Sequence, residues 1–226
     1  MIQDYVSKLT ISLDLIKDSH RAIAMKQYMR NQFEFLGITS VPRKELFLNW
    51  KKILPTTIDR EERWELIYEL WEKEEREYHY LAIDWLNSWK IADIEENDDQ
   101  HLKFLISNKS WWDTVDLLSS NILGRYGLKF PKKMLELIEE WSIEKSFWLH
   151  RATIIFQLRY KKDTDLRILS NQIIRFQRNK EFFIQKAIGW SLREYAKTDS
   201  KWVIDFIEEN GISGLARREA LKHLSN

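Results

Sequence analysis

The sequence predicts an all-α protein assembled from stacked helix pairs, and three observations carry that reading. Apolar residues recur at i, i+3, i+4 and i+7 rather than at i and i+2, the period of helices with one buried stripe. Three prolines and six glycines in 226 residues leave few breaks. No stretch alternates as a strand should. Thr153-Ile154-Ile155-Phe156, the nearest to one, lies inside a longer helical pattern from Glu144 to Lys161.

About a dozen helices fit the chain on this pattern. Their starts are marked by Ser110 ahead of Trp111, by Pro131 as an early helical residue, and by Asp163 or Asp165 ahead of the Leu166 run. With 44% apolar and 13% aromatic residues, the chain can bury a sizeable core. It contains no cysteine, which excludes disulfides, zinc–thiolate sites and cysteine-bound iron–sulfur clusters. The opening Met1-Ile2-Gln3-Asp4-Tyr5 lacks a basic stretch leading into an apolar one, and nowhere do eighteen uncharged apolar residues run together. A cytoplasmic protein is expected.

The net charge of +1 hides an asymmetry. From Lys145 onward, 16 Lys and Arg face 9 Asp and Glu, a net of +7, against −6 for residues 1–144. The C-terminal part is therefore a candidate polyanion surface. The acidic excess sits in runs such as Glu72-Lys73-Glu74-Glu75 and Glu95-Glu96-Asn97-Asp98-Asp99, read as solvated helix faces and a turn.

Five segments superpose at intervals of roughly 33 to 36 residues: Glu77-Tyr78-His79-Tyr80, Ser110-Trp111-Trp112-Asp113, Ser146-Phe147-Trp148-Leu149, Glu181-Phe182-Phe183-Ile184 and Gly214-Leu215-Ala216-Arg217. Such a period predicts a solenoid of HEAT or armadillo type, in which each pair buries its face on its neighbours and inner helices line a concave surface. No linker-like stretch separates the repeats, so residues 1–226 are read as one domain. One column of the superposition holds Ile83, Asp116, Ala152, Ala187 and Ala220. Either the alignment slips by one residue and Asp116 is exposed, or a carboxylate stands where apolar residues belong and needs a purpose.

Trp112 and Asp116, at i and i+4, share one helical face. Lys186, Trp190, Arg193 and Lys197 form a stripe of one aromatic and three cations suited to phosphates and bases. Between them lies a helix bearing Arg151 and, eight residues on, Arg159. Most of the eleven tryptophans are expected in the core, Trp64, Trp71, Trp85, Trp141 and Trp202 among them. The histidines His20, His79, His101, His150 and His223 show no metal-ligand spacing, and neither a nucleophile elbow nor a phosphate-cradling loop is present. No cofactor or metal is expected.

The sequence resembles the HEAT-like-repeat DNA alkylation repair glycosylases of AlkD type. The likeness rests on Tyr28-Met29-Arg30-Asn31-Gln32-Phe33 with Phe35-Leu36-Gly37-Ile38, on Ser110-Trp111-Trp112-Asp113-Thr114-Val115-Asp116, on Arg151-Ala152 followed by Phe156-Gln157-Leu158, and on Phe183-Ile184-Gln185-Lys186-Ala187-Ile188-Gly189-Trp190. It spans nearly the whole chain. The resemblance implies an active-site set of Trp112, Asp116, Arg151 and Trp190, with Tyr28, Arg159 and Arg193 on the DNA-facing surface, which the Lys186 and Lys197 stripe extends. It implies a monomer acting on duplex DNA, nucleoid-associated when bound, that removes cationic N3- and N7-alkylated purines without wrapping the extruded base. On this reading Asp116 steadies positive charge developing on the deoxyribose, and Arg151 holds a phosphate or orients Asp116. The alternatives are a non-catalytic repeat scaffold and a DNA-binding relative without hydrolysis. The turn Thr39-Ser40-Val41-Pro42 is a further candidate for DNA contact.

Overall fold

The computed structural model describes residues 2–55, 58–222 and 224; Met1 and His223 lie outside them. Among the described residues there is no strand, only an isolated bridge between Glu34 and Glu75, so the all-α class stands. The chain divides into two compact units, one reaching Trp89 and the other beginning at Lys90.

The first unit comprises α1 (Ile2–Asp14), α2 (Ser19–Tyr28), α3 (Ser40–Ile53), α4 (Arg60–Trp71) and α5 (Arg76–Asn87). α1 buries Ile2, Val6, Leu9 and Leu13, one per turn, as its period requires. A capping box starts α4: the Asp59 carboxylate accepts from the Glu62 N–H at 2.8 Å, and Glu62 accepts from the Asp59 N–H at 3.3 Å. The supposed turn at Thr39-Ser40-Val41-Pro42 is instead the start of α3, with Thr39 at its N-cap; Pro42 fits a first turn, where no intrahelical N–H is needed. Trp64, Trp71 and Trp85 are buried as expected. At the start of α5, buried Glu77 accepts backbone N–H bonds from Leu36 (3.0 Å), Gly37 (2.9 Å) and Ile38 (3.0 Å). Gly37 has φ +83°, which turns its amide toward the carboxylate. Burial pushes the Glu77 carboxyl up, and the three amide bonds oppose that push.

The second unit contains α6 (Asp98–Ser107), α7 (Trp112–Leu117), a π-helical segment (Leu118–Leu123), α8 (Gly124–Lys129), α9 (Pro131–Ser142), α10 (Phe147–Ile155), α11 (Leu166–Phe176), α12 (Phe182–Ala196), α13 (Ser200–Glu209) and α14 (Gly214–Leu221). Short 3-10 turns lie at Ile91–Asp93 and Lys161–Asp163. Its core packs Ile154, Ile155, Leu169, Ile173, Ile184, Ile188 and Leu192 with Val203, Phe206 and Ile207, and Trp141 is fully enclosed elsewhere in the unit. Trp190 and Trp202 lie half-buried against this core.

The structure departs from several expectations of the sequence. α7 starts at Trp112 rather than Trp111, because the Ser110 hydroxyl turns back to the Ile106 carbonyl of α6 at 2.6 Å instead of capping the next helix. The pattern from Glu144 to Lys161 is helical only over Phe147–Ile155; beyond it Gln157 leaves the helix and grips both backbone groups of Asp165, at 2.8 and 3.2 Å. Asp165, not Asp163, caps α11, accepting from the Arg167 and Ile168 N–H groups. Asp98, assigned to a solvated run, is buried and accepts from the Glu95 N–H at 2.8 Å.

α12 and α14 approach closely because small residues line the contact. A Cβ on Gly189 would stand 2.4 Å from the Glu219 Cβ and 2.8 Å from the Ala216 carbonyl oxygen, both rigidly held. Gly189→Ala is therefore expected to destabilise the protein by about 1–3 kcal/mol, as overpacking of a close contact does. A thermal melt that matches wild type would contradict this packing.

Candidate active site

Asp116 and Arg151 meet in the second unit, brought together from α7 and α10. Arg151 Nε donates to Asp116 Oδ1 at 2.7 Å and Nη2 to Oδ2 at 2.8 Å, a two-pronged bridge. Its remaining nitrogen, Nη1, donates to the backbone carbonyl of Phe183 at the start of α12. The Arg151 side chain is only 5% exposed and that of Asp116 14%. All three guanidinium nitrogens are engaged inside the protein, which fixes the Arg151 head group against the Asp116 carboxyl group.

Burial pushes the Asp116 carboxyl up, the Arg151 hydrogen bonds and charge pull it down, and nearby Asp113 adds a further push upward. Arg151 sets one charged donor on each carboxylate oxygen, an arrangement that favours the ionised form. The repeat superposition placed Asp116 in a column whose other members, Ile83, Ala152, Ala187 and Ala220, are all buried, so no one-residue slip is needed. The carboxylate stands in an apolar column because a guanidinium one repeat later compensates it.

The site rests on aromatic rings at the starts of α7, α10 and α12. Trp111 packs on Trp148 (5.8 Å) and edge-on to Phe183 (5.2 Å), while Phe147 and Phe183 lie parallel at 6.3 Å. These are the superposed aromatic positions, and their packing fixes the Phe183 carbonyl that anchors Arg151. Trp112 opens α7 half-buried, one turn before Asp116, and Trp190 lies half-buried on α12. Asp113, one residue round the helix from Trp112, is buried rather than turned to solvent.

The predicted cations have varied surroundings. Arg159 is exposed beyond the end of α10. The Lys197 side chain is 67% exposed and pairs with Glu194 at 2.6 Å. Lys186 and Arg193 both pair with Glu219 of α14, at 2.9 and 2.8 Å. Sequence reasoning missed Glu219, because no periodicity links it to α12. Tyr28, at the end of α2 in the first unit, is 71% exposed. Among the described residues no group of three or more His, Asp or Glu side chains could hold a metal ion, and no helix is long and apolar enough to cross a membrane.

The fold and the site thus define an all-α helical-repeat protein with a buried carboxylate–guanidinium pair. Residues 10–224 match the family model described as DNA alkylation repair enzyme, and the chain belongs to that family. It is 32% identical to a solved structure titled "Predicted DNA alkylation repair enzyme from Enterococcus faecalis", with a TM-score of 0.83 over 93% of this chain and 97% of that one. No curated protein matches it.

Proposed function

We propose that the protein is a DNA glycosylase that hydrolyses the N-glycosidic bond of cationic N3- and N7-alkylated purines in duplex DNA, acting as a cytoplasmic monomer without a cofactor. The observation that carries this reading is the Asp116 carboxyl group, largely buried and gripped on both oxygens by Arg151. An alkylated purine already bears a positive charge, so it leaves without protonation by a general acid. The C1′–N bond breaks with its electron pair passing to the base, which becomes neutral. The sugar is left with oxocarbenium character. A fixed carboxylate beside C1′ opposes that charge, and in a poorly solvated site its effect is larger than in water.

Each Asp116 oxygen has a second lone-pair direction not used by Arg151, which serves to orient water. The water oxygen bonds to C1′, and its proton leaves by way of the carboxylate to solvent. Trp112 and Trp190 offer ring faces to the cationic nucleotide, an attraction of about 0.5–2 kcal/mol each. Tyr28, Arg159, Lys186, Arg193 and Lys197 are assigned to the DNA backbone. The HEAT-like character of the repeats belongs to the same proposal.

Incubation with methylated duplex DNA and chromatography of the released bases tests this. Free 3-methyladenine and 7-methylguanine are expected, with no release of unmodified purines. Tight duplex binding with no base released would favour the silent DNA-binding alternative, and no duplex binding the scaffold.

A further inference from the structure

We propose that Glu219 competes with DNA phosphates for Lys186 and Arg193, and so governs how tightly the basic face of α12 holds a duplex. The inference rests on the DNA-binding part of the function proposed above. One carboxylate spans both cations: Oε1 meets Lys186 Nζ at 2.9 Å, and Oε2 meets Arg193 Nη1 at 2.8 Å. Arg193 Nη1 also donates to the Glu219 carbonyl oxygen at 2.6 Å. Two anionic oxygens bridging an ammonium and a guanidinium reproduce what the two non-bridging oxygens of a phosphodiester would offer the same pair.

The placement is built into the helix contact. Lys186, Gly189 and Arg193 lie at i, i+3 and i+7, on one face of α12, and the missing side chain of Gly189 lets the Glu219 stem pass between the two cations. The Glu219 side chain is 17% exposed, so its bonds are screened less than those of a surface pair. The Lys197–Glu194 pair on the same helix differs, since its lysine extends into solvent. A phosphate that spans Lys186 and Arg193 as the carboxylate does must displace it, and the carboxylate then faces the anionic backbone.

The test is fluorescence anisotropy with a fluorescein-labelled unmodified duplex at low salt. Glu219→Gln keeps the side chain's size and removes its charge, and is expected to tighten binding about five- to tenfold. Asp205→Asn, which removes one charge from the exposed pair with Lys201, serves as the control for net charge and should change binding less than about twofold. In a Lys186→Ala/Arg193→Ala background the gain from Glu219→Gln should vanish, because the two effects act through one contact. Unchanged or weaker binding by Glu219→Gln, or an equal gain in that background, overturns the inference.

If Glu219→Gln does not fold, the wild-type protein decides. Its Glu219 carboxyl is held below the usual carboxylate range by the Lys186 hydrogen bond first and by Arg193 next. Side-chain NMR of carbon-13-labelled glutamate should show that midpoint rising when duplex saturates the protein, and an unmoved midpoint counts against competition. A wild-type protein that holds no duplex at any salt overturns the DNA-binding reading as well; duplex binding indifferent to Glu219 overturns this inference alone.

Discussion

Replacing Asp116 by Asn is expected to slow the release of 7-methylguanine from methylated duplex about 100- to 1000-fold, the usual cost of losing one preorganised electrostatic group. The loss should appear in single-turnover rates while duplex binding persists, since Asn keeps the volume but not the charge that opposes the oxocarbenium ion. Thermal stability should also fall. Asn turns an N–H₂ group toward one of the two Arg151 donors, and the buried guanidinium loses its counter-charge. A helical far-UV spectrum at room temperature separates this loss of chemistry from loss of fold. Asp113→Asn is not a neutral comparison, because Asp113 is buried and its charge acts on Asp116. Asp205→Asn, at an exposed position of α13, is the better one. Near-normal release by Asp116→Asn would remove the carboxylate from the mechanism.

Arg151→Met should have the second large effect, with a distinctive dependence on pH. Methionine fills much of the same space but leaves Asp116 buried with neither of its two donors, a change that costs about 3–5 kcal/mol when the charge persists. The Asp116 carboxyl, already raised by burial, is then raised further. A carboxyl whose folded value exceeds its unfolded one favours folding fully below the unfolded value, and that contribution disappears as pH rises through the folded value. The melting temperature of Arg151→Met should therefore decline, relative to wild type, as pH climbs from the ordinary carboxylate range through the raised one. Base release needs the ionised form and should recover over the same interval. Stability and activity that move together with pH would mean Arg151 acts on something other than Asp116.

Much of this site was legible in the sequence because it obeys the repeat. Asp116 stood out as the one carboxylate in a column of Ile83, Ala152, Ala187 and Ala220, and Arg151 lay about one period later, where adjacent inner helices face each other. The helix starts at Pro131 and Asp165 were equally visible, since both depend on local chemistry. What escaped was set by contacts without a local signal. The Phe183 carbonyl that anchors Arg151 is a backbone atom and leaves no trace in residue identity. Glu219 meets Lys186 and Arg193 only because Gly189 lets two helices close together. Asp98 reads as part of an acidic surface run, yet its bond to the Glu95 amide takes it inside.

The π-helical segment after Asp116 explains a further limit. From Trp112 to Lys129 the helix is continuous, but Leu118–Leu123 winds with i to i+5 bonds, and the hydroxyls of Ser119 and Ser120 reach back to the carbonyls of Val115 and Asp116. One extra residue in a turn rotates everything downstream by about 100° relative to an unbroken α-helix. The stretch bearing Trp112 and Asp116 and the stretch bearing Gly124 and Tyr126 therefore keep separate phases, like two gear wheels offset by one tooth on a common shaft. The first half can present Asp116 toward Arg151 while the other half independently buries Tyr126 and brings the Gly124 carbonyl to the Tyr160 hydroxyl.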